Sequence, residues 1–285
     1  MGDKHSGEKH SGFFYRTVFL SDTHLGFSGV HAEELSAFLK HLHCERIYLV
    51  GDILDLWALR SKWRWPAMHN QVVRRILKLA RHGAVIIYIP GNHDDAMRQY
   101  AGLELGGVKL AKRALHRTAD GKSLLITHGD EYDLVVQNSP WLSMLGTWAY
   151  DHLINLNRFV NYVRGWFGMK RWSFSLTIKK KVKSACTFIS NYEQALLGEA
   201  RRRNLDGVVC GHIHQPALRQ GEGADSDVLY ANCGDWIERA SALVEHADGR
   251  LEIIDVLKLL ADAGIEVKRL QDEPVPLELS AEIFA

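Results

Sequence analysis

Apolar runs that stop abruptly in polar clusters set the rhythm of this chain. Thr17-Val18-Phe19-Leu20 leads to Asp22-Thr23-His24, and Ile47-Tyr48-Leu49-Val50 leads to Gly51-Asp52. Val85-Ile86-Ile87-Tyr88-Ile89 precedes Gly91-Asn92-His93-Asp94, and Leu124-Leu125-Ile126 precedes Thr127-His128-Gly129-Asp130. A fifth, short step, Val208-Val209-Cys210, leads to Gly211-His212-Ile213-His214. The first four runs predict strands buried on both faces. Between them the period changes. Residues 31–43 place Leu35, Phe38, Leu39 and Leu42 at helical spacing. Residues 67–82 do the same with Val73, Ile76, Leu77 and Ala80, and Gly83 ends that helix. Strands alternating with helices make this an α/β chain, and such folds place their sites at the carboxyl ends of the strands.

Residues 95–122 read as short helical and turn pieces, with Ala119-Asp120-Gly121-Lys122 as a hairpin turn. A helix is expected at 193–203. A strand at 228–233 ends in Gly234-Asp235-Trp236, and 242–246 with 251–256 form a closing hairpin about Asp248-Gly249. Residues 152–192 differ from everything else: they hold no acid, yet carry Arg158, Arg164, Lys170, Arg171, Lys179, Lys180, Lys181 and Lys183. Trp141, Trp148, Trp166 and Trp172 lie in or just before this stretch, and apolar residues from Leu142 to Phe167 recur at spacings of three and four. This predicts one long amphipathic helix or two joined ones. Its basic, aromatic character suits an anionic membrane surface or an acylated phosphate substrate; a cap that packs its apolar face on the core is the other reading.

Composition narrows the picture. With 285 residues and 46% apolar content the chain can bury a large core. A net charge of +1 disfavours a nucleic-acid partner. Cys44, Cys186, Cys210 and Cys233 show no C-x-x-C spacing and read as reduced residues of a cytoplasmic protein. No signal-like opening and no run of 18 apolar residues is present, so neither export nor a membrane span is expected. Residues 1–12 read as a disordered tail, and 258–285, with Pro274 and Pro276, as an extension packed on the core.

The candidate chemistry lies in the residue types. Aspartate, asparagine and histidine form a mixed oxygen and nitrogen donor set, which suits Mn, Fe, Co or Zn better than Mg or Ca. The donors are too many for one tetrahedral ion and enough for two. Two ions about 3.5–4 Å apart need a bridging carboxylate, and such pairs catalyse displacement at phosphorus. A lone Gly-Asp or Gly-His would mean little; five clusters in order mean more. Asp55 reads either as a residue that orients a ligand or as a helix cap. Residues 60–66, with three cations and two tryptophans, read as a loop for a phosphate and a ring, or as a solvated loop with its tryptophans packed down.

The order Asp-x-His, Gly-Asp, Gly-Asn-His-Asp, His, Gly-His-x-His over residues 16–240 resembles the calcineurin-like metallophosphoesterases. The resemblance implies an αββα sandwich of two mixed β-sheets flanked by helices. The core would be 13–138 and 193–257, with a helical cap insertion at 139–192. It implies that Asp22, His24, Asp52 and His214 hold one ion, and that Asp52, Asn92, His128 and His212 hold the other. Both would be divalent transition-metal ions, Mn first, with Fe, Co or Zn as the others. His93 would act on the phosphate, held by Asp94. The opening Ser21-Asp22-Thr23-His24-Leu25-Gly26 and the helical insertion resemble the UDP-2,3-diacylglucosamine pyrophosphohydrolases of lipid A synthesis, which release UMP at the cytoplasmic face of the inner membrane. Those enzymes carry Arg where this chain has His93, so the resemblance is that of a paralogue with a shared metal site. The implied partner is a phosphorylated amphiphilic small molecule, with peripheral membrane contact through 141–192. The alternatives are a soluble nucleotide or protein phosphoesterase, or a nuclease. A non-catalytic scaffold of the fold would have lost ligands, and every ligand position here is filled.

Overall fold

A computed structural model of the chain describes residues 12–61, 64–133 and 175–268, with only the backbone of 175–187. The tail 1–11, Lys62-Trp63, most of the expected cap at 139–174 and the extension beyond Lys268 lie outside the described residues. The chain divides into two compact units. The first comprises Met1–His128, Val209–Leu218 and Ala231–Ala285; the second comprises Gly129–Val208 and Arg219–Tyr230.

The predicted alternation gives strand β1 (Phe13–Leu20), helix α1 (Ala32–His41), β2 (Leu42–Val50), α2 (Leu56–Ser61), α3 (Ala67–Arg81) and β3 (Val85–Ile89). A 3-10 turn, Asp95–Tyr100, follows, and then β4 (Glu104–Leu105), β5 (Val108–Leu110), β6 (Ala114–Arg117) and β7 (Ser123–Ile126). Helix α4 (Ser175–Arg202) leads to β8 (Gly207–Cys210), β9 (Ala217–Gln220), β10 (Leu229–Asn232), β11 (Ser241–Glu245), β12 (Leu251–Asp255) and α5 (Val256–Asp262). Two sheets result, ordered β12-β11-β1-β2-β3-β5-β4 and β6-β7-β8-β10-β9. In the first, β1, β2, β3 and β5 run parallel, and β11, β12 and β4 are antiparallel at the edges. These are the two mixed sheets that the resemblance implies. Among the described residues no helix is long and apolar enough to cross a membrane.

Strand period separates the two faces of the first sheet. Val18, Leu20, Ile47, Leu49 and Ile86 pack with Leu35, Phe38 and Leu39 of α1 and with Met68, Val72 and Ile76 of α3. On the opposite face Phe19 stacks on Tyr48 at 5.1 Å, and both meet the buried His116 of β6 edge-on.

Three local expectations change. Helix α1 stops at His41 and Leu42 begins β2, because β1 and β2 pair along their whole length from Phe13↔Leu42 to Leu20↔Leu49. Leu42 is buried in either state, so its spacing could not discriminate. The helix expected at 193–203 is the end of the 28-residue α4; no glycine or proline interrupts residues 169–197. Residues 104–110 form a hairpin, where Leu105 pairs Val108 across Gly106-Gly107 at φ +60° and +87°. That Gly-Gly turn is the signal for the hairpin in the sequence.

One buried ionic cluster fastens β6 and the turn after it to the first sheet. Glu245 of β11 accepts from Arg16 at 2.6 Å, from His116 Nε2 at 2.9 Å and from the Ala119 N–H at 2.8 Å. Burial alone would raise the Glu245 pKa, but hydrogen bonds from His116, Thr17 and the Ala119 N–H bring it down to about 2. A depressed carboxyl contributes stability above its unfolded value of 4.5 and loses it as pH falls toward 2. Glu245→Gln is therefore expected to cost about 1–3 kcal/mol at pH 7, mostly by stranding buried donors. Urea denaturation should show the gap between wild type and variant closing between pH 4.5 and pH 2; a gap that is flat with pH would contradict an ionised Glu245.

Candidate metal centre

All the sequence-predicted site residues fall in the first unit, on loops that follow the apolar strands. Backbone hydrogen bonds zip these loops together. Asp22 N–H donates to Gly51 O at 3.0 Å, His24 N–H to Asp52 O at 2.9 Å, and Gly211 N–H to His128 O at 3.1 Å. Among the described residues seven that are not glycine have positive φ, and five of them are Asp22, His24, Asp52, His212 and His214. Such backbone is costly for L-residues and persists where the surroundings over-determine it. Glycine precedes Asp52 and Asn92 for a related reason. A Cβ on Gly51 (φ +79°) would land in the His128 ring, and one on Gly91 would meet Asp52 and His128.

The side chains converge as Asp22 with His24 and His214, and as Asp52 with His128 and His212, and a third group joins His24 to Asp55 and His93. His214 Nε2 lies 3.2 Å from Asp22 Oδ1, and His24 Nε2 lies 3.9 Å from the same oxygen. In the second group His128 Nε2 is 3.3 Å from Asp52 Oδ2. That oxygen is also 4.0 Å from His24 Nε2, so Asp52 stands between the two groups. Three imidazoles are oriented alike. Nδ1 of His24 meets Asp55 Oδ2 at 3.1 Å, Nδ1 of His128 meets Val50 O at 3.0 Å, and Nδ1 of His214 faces Asp235 Oδ2 at 3.7 Å. Each thus presents Nε2 to the centre, the arrangement by which outer carboxylates and carbonyls fix metal-binding histidines. His24 Nε2, Asp22 Oδ1 and Asn92 Oδ1 are buried with no hydrogen-bond partner. Buried donors and acceptors left in this way fit a divalent ion, and the oxygen and nitrogen set is the right chemistry for one.

The electrostatics agree. Burial would raise the Asp52 carboxyl, yet His128, His24 and His93 hold it far below the usual carboxylate range. At Asp22, burial is likewise outweighed, by His214 and His128. His214 rises to about 9, because Asp22, Asp235 and Asp52 overcome the opposing effect of its own burial. The ionised carboxylates draw positive charge to the site, a charge that a pair of cations would supply with the imidazoles neutral.

The expected partnership of His93 with Asp94 is not what the structure shows. His93 Nδ1 lies 3.2 Å from Asp55 Oδ1, and its backbone N–H donates to Asp52 Oδ1 at 2.8 Å. Asp94 is turned to the loops instead. Its carboxylate accepts from the N–H groups of Gly91 (2.5 Å), Ile53 (2.8 Å) and Leu54 (3.2 Å), and from the Tyr88 hydroxyl. The physical reason is reach: four donors already surround the Asp94 oxygens, and Asp55 approaches the ring. Asp55 fills both roles left open for it, since Oδ1 also caps α2 through the Ala58 N–H at 2.8 Å. Asp235 was missed, although Gly234-Asp235 ends a strand just as the other clusters do. In the basic loop, Trp65 packs down, with Nε1 donating to Asn70 at 3.2 Å and its ring edge-on to His69.

Two outcomes follow. Metal analysis of the purified protein should give about two ions per chain, and Asp52→Ala should lose both because its carboxylate stands between the groups; retention of both by the variant would refute the bridge. Asp94→Asn should lower stability by about 2–4 kcal/mol, because an amide would face backbone donors. Thermal denaturation checks this, and a variant as stable as wild type but slow would return Asp94 to a role at His93.

Comparison with known proteins places these features. The calcineurin-like phosphoesterase profile matches residues 15–216. A UDP-2,3-diacylglucosamine hydrolase from Histophilus somni is 29% identical over 252 residues, 82% of this chain and 97% of its own length. The protein of the same name from Pectobacterium carotovorum is 23% identical over 249 residues, 80% of this chain and 93% of its own. A solved archaeal phosphodiesterase aligns over 84% of this chain and 98% of its own, at 13% identity and a TM-score of 0.40. With the profile spanning every cluster from Asp22 to His214, the chain belongs to the calcineurin-like phosphoesterase family and is a hydrolase that uses divalent metal ions.

Proposed function

We propose that the protein is a dinuclear phosphodiester or pyrophosphate hydrolase acting on an amphiphilic UDP-acyl-sugar, releasing UMP. The observation that carries the dinuclear reading is Asp52 Oδ2, set between His128 Nε2 at 3.3 Å and His24 Nε2 at 4.0 Å. In this reading Asp22, His24, Asp52 and His214 hold one ion, and Asp52, Asn92, His128 and His212 the other. Mn is the first choice of metal. Bound ions would supply an activated water and neutralise charge on the phosphate. The substrate reading is supported by relatives named UDP-2,3-diacylglucosamine hydrolase that match over most of the chain.

His93 supplies the proton. Asp55 engages Nδ1, which leaves Nε2 as the nitrogen that can donate. As the P–O bond breaks, its electron pair stays on the leaving oxygen and the Nε2 proton passes to it. Burial lowers the His93 pKa and the Asp55 and Asp52 carboxylates raise it, with a net rise that favours the protonated donor. A soluble nucleotide ester is the second reading, favoured by His93 standing where the lipid A enzymes carry Arg. We place the protein in the cytoplasm, with 141–192 contacting the inner membrane surface; co-sedimentation with anionic vesicles that persists unchanged at high salt would count against charge as the cause.

His93→Ala should keep both ions and lose about 10²–10⁴-fold in turnover. UMP release from UDP-2,3-diacylglucosamine, set beside soluble nucleotide diesters, tests the substrate. Turnover of the diesters without UMP release would leave the hydrolase and remove the acyl-sugar.

A further inference from the structure

We propose that Trp57 is a positioning residue for His93, holding the imidazole plane so that Nε2 meets the leaving group. This rests on the reading of His93 as the proton donor. The Trp57 indole lies over the His93 ring at 4.1 Å between centroids, with 33° between the planes. Asp55 Oδ1 approaches a single atom of that ring, Nδ1, at 3.2 Å, without a hydrogen bond of regular geometry. Such a one-atom contact leaves the ring free to swing about the Nδ1···O line. His93 has room to do so, because 23% of its side chain is exposed. The indole closes that motion on one face, and His24 meets the ring nearly edge-on at 4.6 Å and 85°.

Trp57 is itself tied to the same carboxylate. Asp55 Oδ1, the atom beside His93, also accepts the Ala58 N–H at 2.8 Å and so anchors the helix residue next to Trp57. Asp55 therefore holds Nδ1 on its own side, and Trp57 sets where Nε2 points. The contribution falls on one step. The more basic the leaving oxygen, the more the reaction depends on a well-aligned Nε2. A p-nitrophenolate or a sugar phosphate leaves with little help, whereas an alkoxide needs the proton.

The test is a double-mutant cycle of Trp57→Ala and His93→Ala, with Trp57→Phe as the conservative variant, on an alkyl and a p-nitrophenyl phosphodiester. Trp57→Ala is expected to lower kcat on the alkyl ester about tenfold with KM within about twofold, and to cost much less on the nitrophenyl ester. Trp57→Phe should recover most of the loss, and Trp57→Ala should cost nothing further once His93 is alanine. A readout independent of turnover is NMR of the histidine-labelled protein without added metal. A His93 ring resonance, assigned by its loss in His93→Ala, should move downfield in Trp57→Ala as the indole ring current disappears. Should Trp57→Ala not fold, Trp57→Leu takes its place in every arm. An impaired His93→Ala enzyme in which Trp57→Ala still costs its full factor would overturn the proposal alone. So would a rise in KM with kcat unchanged, which would make the indole a substrate platform. A His93→Ala enzyme as fast as wild type would overturn the role of His93, and the proposal with it.

Discussion

The structure around the site depends on one buried carboxylate. Asp52 faces His128 and His24 through one oxygen and takes the His93 backbone N–H on the other. Its backbone carbonyl accepts the His24 N–H, which ties the first loop to the second. A carboxylate this deep would be neutral without compensation, since an isolated buried charge costs several kcal/mol. Three imidazoles and an N–H supply it. The same contacts set the spacing of the loops, so the charge that must be compensated is also what registers the ligands against one another.

The rest of the site follows from holding that charge in place. Left-handed backbone at Asp22, His24, Asp52, His212 and His214 aims side chains inward that regular strand geometry would send elsewhere. Asp94 ties the third loop to the second through the Ile53, Leu54 and Gly91 N–H groups. Below, β1, β2 and β3 are parallel and apolar on both faces, which gives the loops a base that does not yield. Placing strained loops on rigid strands is how a fold keeps ligands within hydrogen-bond distance of one another.

Much of this was legible in the sequence because strand patterning and ligand chemistry are both local. Val85–Ile89 is a strand in the structure with the bounds its apolar run predicts, and His24, Asp52, His128 and His214 come together as their order implied. What was not legible depended on pairing or reach. Leu42 fits a helix face and a buried strand equally, and only its pairing with Phe13 decides. The resemblance implied a partnership of His93 with Asp94, its neighbour in sequence, that the loop geometry gives to Asp55. Residues of this kind are assigned by distance between loops, which no spacing along one loop encodes. Asp235 is different: its Gly-Asp signal was present, and it was passed over because it stands after the last matched cluster.

On the proposed roles, a division of labour among the carboxylates would let the site hold cations and still deliver a proton. The seven proposed ligands carry two negative charges, those of Asp22 and Asp52, with neutral donors for the rest. Two divalent ions would leave that cluster positive by two, which suits the anionic oxygens of a phosphodiester or pyrophosphate. An acid beside such a cluster would lose its proton to the field unless another anion stood next to it. Asp55 is that anion, reaching the outer nitrogens of both His24 and His93. It meets both rings at Nδ1, which leaves Nε2 of each for its proposed role. A single carboxylate, next after Ile53-Leu54 in its loop, thus contacts both the proposed metal-binding histidine and the proposed proton donor.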